Sequence, residues 1–185
     1  MKKGIVYFIT MMFLLTLIVG INSAQEKGKF QYVGANQCKM CHNSAAKGAQ
    51  FKKWSEASHA KAYTTLASAE AKKIAQEKGI ADPQKSDACL KCHVTGHGQP
   101  ANMLGPKYKI EEGVGCESCH GPGSEYKTMK VMKDITAKKV AAETVGLLKP
   151  TKEVCITCHN SESPTYKEFN YAEFWKKIDH SRPNQ

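Results

Sequence analysis

Apolar residues are concentrated at the start of the chain and become sparse after it. Two lysines precede a largely apolar run at positions 4–21, and the small residues of positions 22–24 follow. A positive start, an apolar middle and small residues at the end are typical of a secretory signal. We therefore predict a signal peptide at residues 1–24, cleaved after Ala24. The run is also just long enough to span a bilayer, so a retained membrane anchor is the alternative.

The remaining pattern is that of short helices. Residues 59–78 are rich in Ala, Lys and Glu and stop before Gly79, which predicts a helix that ends at this glycine. Residues 166–179 carry five aromatic side chains at spacings that give a helix a broad aromatic face. Shorter helices are predicted at residues 44–58 and 136–145.

Turns and loops are predicted between these helices. Asp82 and Pro83 indicate a turn, and the many glycines and prolines of residues 96–115 indicate a loop. No segment alternates apolar and polar residues over a useful length, so no strand is predicted. Removal of 24 of the 185 residues leaves 161, with few large hydrophobic residues among them. Such a chain builds only a thin core unless another group fills it.

The pattern of cysteines indicates which group fills the core. All eight lie in Cys-x-x-Cys pairs, and a histidine follows each pair directly. The cysteines are Cys38, Cys41, Cys89, Cys92, Cys116, Cys119, Cys155 and Cys158. The histidines that follow them are His42, His93, His120 and His159.

This motif has the spacing of c-type haem attachment. Two thiols three positions apart can add to the two vinyl groups of one haem, and the next residue offers its imidazole to the iron. Zinc sites and disulfide frameworks also use paired cysteines, but neither requires a histidine after every pair. We therefore predict four haem c groups with their irons. The predicted fold is mainly α, with short helices and loops of residues 25–185 wrapped around the haems and little or no β-sheet.

The positive charge of the chain does not indicate nucleic-acid binding. The formal net charge is +10, and the loss of Lys2 and Lys3 with the signal leaves +8. Four haems would bring about eight propionate charges, which largely cancel this excess. The lysines are better explained as partners of propionates and of other redox proteins. Contact with a membrane is expected only if the first segment is retained.

The number of histidines limits the sixth ligands. Four haems with two histidines each need eight, and the chain has seven. The three that follow no cysteine pair are His59, His97 and His180, so at least one iron lacks a second histidine. We predict His59 and His180 as distal ligands and His97 as a possible one. His97 cannot serve the His93 haem, because four residues are too few to pass around the porphyrin.

Methionine is the other residue type that can serve as a sixth ligand. Met40 lies inside a haem motif and is badly placed, whereas Met103, Met129 and Met132 are free to act. Met129 and Met132 are three positions apart, so they can share one helical face and serve ordinary packing instead.

The chain resembles the cytochrome c-554 family of tetrahaem electron carriers. The matching stretches are Cys38–His42, Trp54–Ala62 (WSEASHAKA), Cys89–Gln99 (CLKCHVTGHGQ) and Gly113–Gly123 (GVGCESCHGPG). The fourth motif and the aromatic segment ending at His180 also correspond. The resemblance implies a helical fold around four closely packed haems, three of them bis-histidine and one, at the second motif, five-coordinate.

The resemblance also implies which histidines act together. It places His59 opposite His120 and His180 opposite His159, and it leaves the His93 haem open. This chain departs from the family after the third motif, where residues 124–130 lack the histidine that serves the first haem. The sixth ligand of the His42 haem is therefore open, with His97 and Met129 as candidates.

Two functions from different classes follow. The first is an exported carrier that passes electrons between redox proteins in the periplasm or at the cell surface. The second is a haem enzyme that reduces a small nitrogen oxide or a hydroxylamine-type substrate at a five-coordinate iron. A membrane-held relay is a third, if the first segment is retained. The carrier needs no substrate pocket and agrees with the family, so the protein is expected not to be an enzyme.

Overall fold

The computed structural model of the chain describes residues 29–181. The predicted signal peptide and its cleavage point after Ala24 lie outside these residues. Within residues 29–181, no helix is both long enough and apolar enough to cross a membrane.

Regular structure in residues 29–181 consists of nine α-helices and six 3₁₀ helices. The α-helices are α1 Lys39–His42, α2 Gln50–Glu56, α3 Ala62–Thr65, α4 Ala69–Glu77, α5 Asp87–His93, α6 Cys116–His120, α7 Met129–Thr136, α8 Lys152–Ile156 and α9 Tyr171–Ile178. The 3₁₀ helices are Ala35–Gln37, Ala45–Lys47, Ser58–Lys61, Ala101–Met103, Ile110–Glu112 and Ala142–Val145. This part of the chain has no strand beyond one isolated bridge, between Tyr32 and Leu104. The prediction of a mainly α fold is confirmed.

The helix predicted at residues 59–78 is divided into three pieces. A 3₁₀ turn leads into α3, and the backbone then becomes extended at Ser68 before α4 begins. The Ser68 side chain accepts a hydrogen bond from the Ala71 amide at 3.1 Å, so it caps α4 three residues after α3 ends at Thr65. The predicted stop is confirmed, because α4 ends at Glu77 and Gly79 has a positive φ of 69°.

The short helix predicted at residues 136–145 is present only in part, as the 3₁₀ helix Ala142–Val145. An α-helix lies upstream as α7, which begins after Thr128, whose side chain accepts a hydrogen bond from the Val131 amide at 3.3 Å. After α7, Lys138 takes the left-handed conformation with φ of 57°, and the Lys139 amide turns back to the Asp134 carbonyl at 2.8 Å. This closes the helix end, and only a 3₁₀ turn follows before residue 145.

The other two predicted helices are shorter than their sequence patterns. In residues 44–58, a 3₁₀ turn ends at Gly48, whose φ is 98°, before α2 begins. In residues 166–179, the helix begins only after Asn170, whose side chain caps α9 by accepting a hydrogen bond from the Glu173 amide. The turn at Asp82 is confirmed, because its carboxylate accepts a hydrogen bond from the Gln84 amide at 2.9 Å.

The protein part of the core is small, as the sequence predicts. Among residues 29–181, eight apolar or aromatic side chains are buried, and none of the large ones is fully enclosed. Leu66, Leu90 and Val94 form a hydrophobic cluster. Leu90 and Val94 lie on α5 and directly after it, and they pack against Leu66, which follows α3. The buried polar side chains are Thr95 and Glu117, which lie close to the second and third motifs.

Candidate haem-binding site

Each Cys-x-x-Cys-His motif lies on one turn of helix. In the first motif the His42 amide donates to the Cys38 carbonyl at 3.0 Å, and in the fourth His159 donates to Cys155 at 2.9 Å. The second and third motifs lie at the end of α5 and along α6. Positions i, i+3 and i+4 of a helix share one face. Both thiols and the imidazole of a motif are therefore presented to the same side.

The thiols are in a condition that suits covalent attachment. All eight cysteines are free of disulfides and only partly exposed. Burial raises the pKa of Cys92 and of Cys119 to about 11, and other thiols nearby add to the effect. These two thiols therefore stay protonated at neutral pH in the bare polypeptide.

Two pairs of histidines have a separation that suits one iron between them. The ring centroids of His59 and His159 are 6.0 Å apart, and those of His120 and His180 are 5.9 Å apart. Imidazole nitrogens bind transition metals at about 2 Å, so two rings on opposite sides of one iron have centroids roughly 6 Å apart. Both pairs have this separation.

This pairing differs from the one that the family resemblance implies. The resemblance assigns His59 to the His120 haem and His180 to the His159 haem. The structure brings His59 to His159 and His180 to His120 instead. The linear sequence alone does not show which motif the segments that carry His59 and His180 fold against.

Backbone carbonyls orient several of these imidazoles. The Nδ1 atom of His93 lies 2.7 Å from the Ala62 carbonyl oxygen, and that of His180 lies 2.7 Å from the Ile178 carbonyl. The Nδ1 atom of His120 lies 3.3 Å from the Leu148 carbonyl. A proton on Nδ1 that is donated to a carbonyl leaves the Nε2 lone pair available to a metal.

Burial favours the neutral form of His59, His120 and His159. It lowers the pKa of His59, with a further contribution from His159, and it lowers the pKa of His159 itself. Burial also lowers the pKa of His120, against a smaller opposing effect from the Leu148 carbonyl. Because only neutral imidazole can donate a lone pair to iron, these environments favour ligation.

Two phenylalanines hold the ring of His159. The Phe169 ring stacks on it with centroids 4.7 Å apart and an interplanar angle of 18°. Phe174, on α9, lies 6.0 Å from the same ring and 5.0 Å from that of Phe169. The aromatic residues that predicted a helical face therefore serve, in part, to fix an imidazole.

His97 is engaged away from the paired histidines. Its Nε2 atom lies 3.1 Å from a carboxylate oxygen of Asp87, at the start of α5. The ring is mostly buried, with 20% of the side chain exposed, whereas the Asp87 side chain is 94% exposed. The Nε2 atom, with which His97 could bind iron, is thus turned toward the Asp87 carboxylate.

Met129 does not show the burial of a core residue. It is the first residue of α7 and is 57% exposed. Met132 lies on the same helix, as the sequence predicts. Met40 is 93% exposed, in agreement with the expectation that it is badly placed to act as a ligand.

The electrostatic influence of the thiols on one another shows which motifs are neighbours. Cys38 of the first motif and Cys116 of the third lie close enough to shift each other's pKa. Cys119 of the third motif interacts with Cys155 of the fourth. The second motif reaches the fourth through Cys92 and Cys158, and an ion pair joins Lys91 to Glu162 beside them. The motifs therefore lie in the order first, third, fourth, second.

Sequence reasoning missed two carboxylates that hold these motifs together. Glu117, inside the third motif, is 3% exposed and accepts hydrogen bonds from three backbone amides of other segments. Glu112 accepts hydrogen bonds from the Ala35 amide and the Asn36 side chain. The position of Glu117 between the two cysteines of a motif is visible in the sequence, but it does not reveal which residues bind this carboxylate.

The residues present fit covalently bound haem. Each motif offers two thiols one helical turn apart and an imidazole on the same face. In addition, His59 and His180 each lie opposite a motif histidine, at the ring separation that two ligands of one iron require. The predicted ligands His59 and His180 belong to this arrangement. His97, the third candidate, does not join a histidine pair.

Comparison with known proteins gives two matches. A family model described as "Cytochrome c554 and c-prime" matches residues 37–121. The chain is 32% identical over 187 aligned residues to cytochrome c-554 of Nitrosomonas europaea, and the alignment covers 90% of this chain and 73% of that protein. No solved structure matches the chain.

Proposed function

Because this chain belongs to the cytochrome c-554 family, it is a haem-bearing c-type cytochrome of electron transfer, and we propose that it is an exported carrier with four haems. The family, the haem c cofactor and the electron-transfer role predicted from the sequence are thereby confirmed. Two features support the finer proposal: the four Cys-x-x-Cys-His turns, and two histidine pairs whose rings have the separation expected for two ligands of one iron.

The proposed attachment sites are the eight cysteines, and the proposed proximal ligands are His42, His93, His120 and His159. His59 is the proposed distal ligand to the His159 haem, and His180 to the His120 haem. The ring separations of 6.0 and 5.9 Å support these assignments. His97 is proposed as a partner of Asp87 rather than as a ligand.

The packing of the motifs supports a route for electrons through the protein. Haem c would supply an iron that gains and loses one electron; two thioethers would tether each porphyrin to the chain, and a histidine would bind its iron. The mutual influence of the thiols on their pKa values supports the order first, third, fourth, second for the motifs. Electrons would enter and leave at the ends of this row, which carry the first and second motifs.

The proposed partners are other redox proteins outside the cytoplasm. The charge of +8 on residues 25–185 is nearly balanced by the propionates of four haems, so docking depends on local clusters of lysine rather than on a strong overall field. Export is proposed from the signal-like residues 1–24 and from the covalent tether, which prevents loss of the cofactor outside the cell.

A second candidate function has one observation in its favour. His59 and His180 are paired elsewhere and His97 is held by Asp87, so the spare histidines do not serve the haems of the first and second motifs. An iron without a second strong ligand can bind a small molecule. Reduction of a nitrogen oxide or of hydroxylamine at such an iron is the alternative activity, and it requires turnover and not merely binding.

The carrier proposal predicts the composition of the mature protein. Intact mass spectrometry of protein purified from an exporting host should give residues 25–185 with four haems added. Digestion should then yield one haem on each of the four motif peptides. A single Cys→Ala change at Cys155 should leave the other three motif peptides carrying haem. A wild-type mass with fewer than four haems would contradict the proposed cofactor number.

A further inference from the structure

We propose that the buried carboxylate of Glu117 is a positioning residue that fixes the first and third haem-binding segments to each other and lowers the reduction potentials of their haems. The inference rests on the proposal above that both motifs carry haem. It concerns a residue between Cys116 and Cys119 that neither attaches haem nor binds iron.

Glu117 is joined to the rest of the molecule by backbone amides. Its carboxylate accepts hydrogen bonds from Val33 at 2.8 and 3.0 Å, from Gly34 at 2.8 Å and from Gly123 at 2.7 Å. Val33 and Gly34 lead directly into the first motif, which begins at Cys38. Gly123 follows the third motif. One side chain therefore holds three points of the backbone.

This environment is built for an ionised carboxylate. Each of the hydrogen bonds to Glu117 comes from an N–H donor, and a carboxylate is an acceptor only, whereas a protonated acid would need an acceptor for its own proton. Burial raises the pKa of Glu117, and the three amides oppose this by stabilising the charged form. With the side chain 3% exposed, water screens the charge only weakly.

The charge lies beside two haem-binding segments at once. Glu117 is part of the turn that the third haem closes, and its amide partners at residues 33 and 34 lead into the first motif. These hydrogen bonds bring the segment that enters the first motif against the third motif. A buried negative charge favours the ferric over the ferrous state, so it lowers the potential of nearby haem iron.

Two glycines let the backbone approach Glu117 closely. A Cβ atom added at Gly123 would lie 3.1 Å from the Glu117 carboxylate and 3.2 Å from the Val33 side chain. Gly34 has φ of 91°, a conformation that side-chain-bearing residues rarely adopt. Glu112 reinforces the arrangement by binding the next amide, that of Ala35. Two carboxylates thus hold consecutive amides of the segment that enters the first motif.

The test is a redox titration of Glu117→Gln in the haem-loaded protein. Glutamine keeps the shape but removes the charge, so two of the four midpoint potentials should move to higher values, with all four haems and their spin states retained. Glu111→Gln is the matched control, because Glu111 is an exposed neighbour whose charge water screens. Unchanged potentials in Glu117→Gln, or an equal shift in Glu111→Gln, would overturn the proposal.

A second variant covers the case in which Glu117→Gln is not recovered with four haems. Glu117→Asp keeps the charge on a shorter side chain, and wild-type potentials in this variant would support the proposal. If Glu117→Asp also lacks haem, mass spectrometry of the motif peptides decides. Loss confined to the first and third motifs supports joint positioning, and loss spread evenly over all four motifs contradicts it.

Discussion

Fully reduced protein is expected to bind two equivalents of carbon monoxide per chain, at the haems of the first and second motifs. Four proximal histidines and two distal ones account for six of the seven. The seventh, His97, directs its Nε2 atom to Asp87 at 3.1 Å. Carbon monoxide binds ferrous haem where no strong sixth ligand competes with it. A titration followed by visible absorption measures the number of equivalents directly.

Two variants identify the residue responsible if the count differs. His97→Ala should leave the stoichiometry at two, since its ring is held away from the irons. Met129→Leu should also leave it at two, because the exposed Met129 is not expected to act as a ligand. Binding of a single equivalent by the wild type would contradict the prediction. An increase to two in either variant would then identify that residue as the sixth ligand.

Replacing His59 with alanine is expected to abolish half of the low-spin haem signal. In the proposed ligand set, two haems have a histidine on both sides and are low-spin. His59→Ala removes one ligand from the His159 haem only, and His180→Ala removes one ligand from the His120 haem only. The double variant should therefore have no bis-histidine haem. Electron paramagnetic resonance of the oxidised protein counts the low-spin centres. A single variant that keeps the full signal would remove that histidine from the ligand set.

The pairing itself is tested by combining distal and proximal changes. His59 and His159 are proposed to share one iron, so His59→Ala with His159→Ala should lose no more signal than His59→Ala alone. His59→Ala with His120→Ala affects two irons and should lose all of it. The opposite pattern would restore the pairing implied by the family resemblance. His97→Ala serves as a control and should leave the low-spin count unchanged.

The class of cofactor and the composition of the site could be predicted from the sequence because they depend on local spacing. Thiols at i and i+3 with an imidazole at i+4 have the required geometry on any helical turn, whatever the rest of the fold. The mainly α architecture followed from the same short-range signals. Helix ends such as Glu77 before Gly79 were also local, because a glycine with positive φ determines them.

Long-range features could not be predicted in this way. The partner of His59 is 100 positions along the chain, and neither charge nor periodicity distinguishes His159 from His120. The hydrogen bonds of Glu117 connect it to residue 33, at a separation of 84. The short helix predicted at residues 136–145 differs from the structure for a local reason, because Thr128 caps an α-helix that begins upstream at Met129.

The separation of the paired histidines along the chain has a consequence for biogenesis. His180 comes 60 positions after His120, and His159 comes 100 positions after His59. A chain that crosses a membrane from its amino end exposes the third motif to the haem-attachment machinery well before His180 emerges. In the proposed ligand set, this haem is thus first held by a single imidazole. If the chain is exported as proposed, His180 would complete the ligand set of this haem only after the last segment has crossed the membrane.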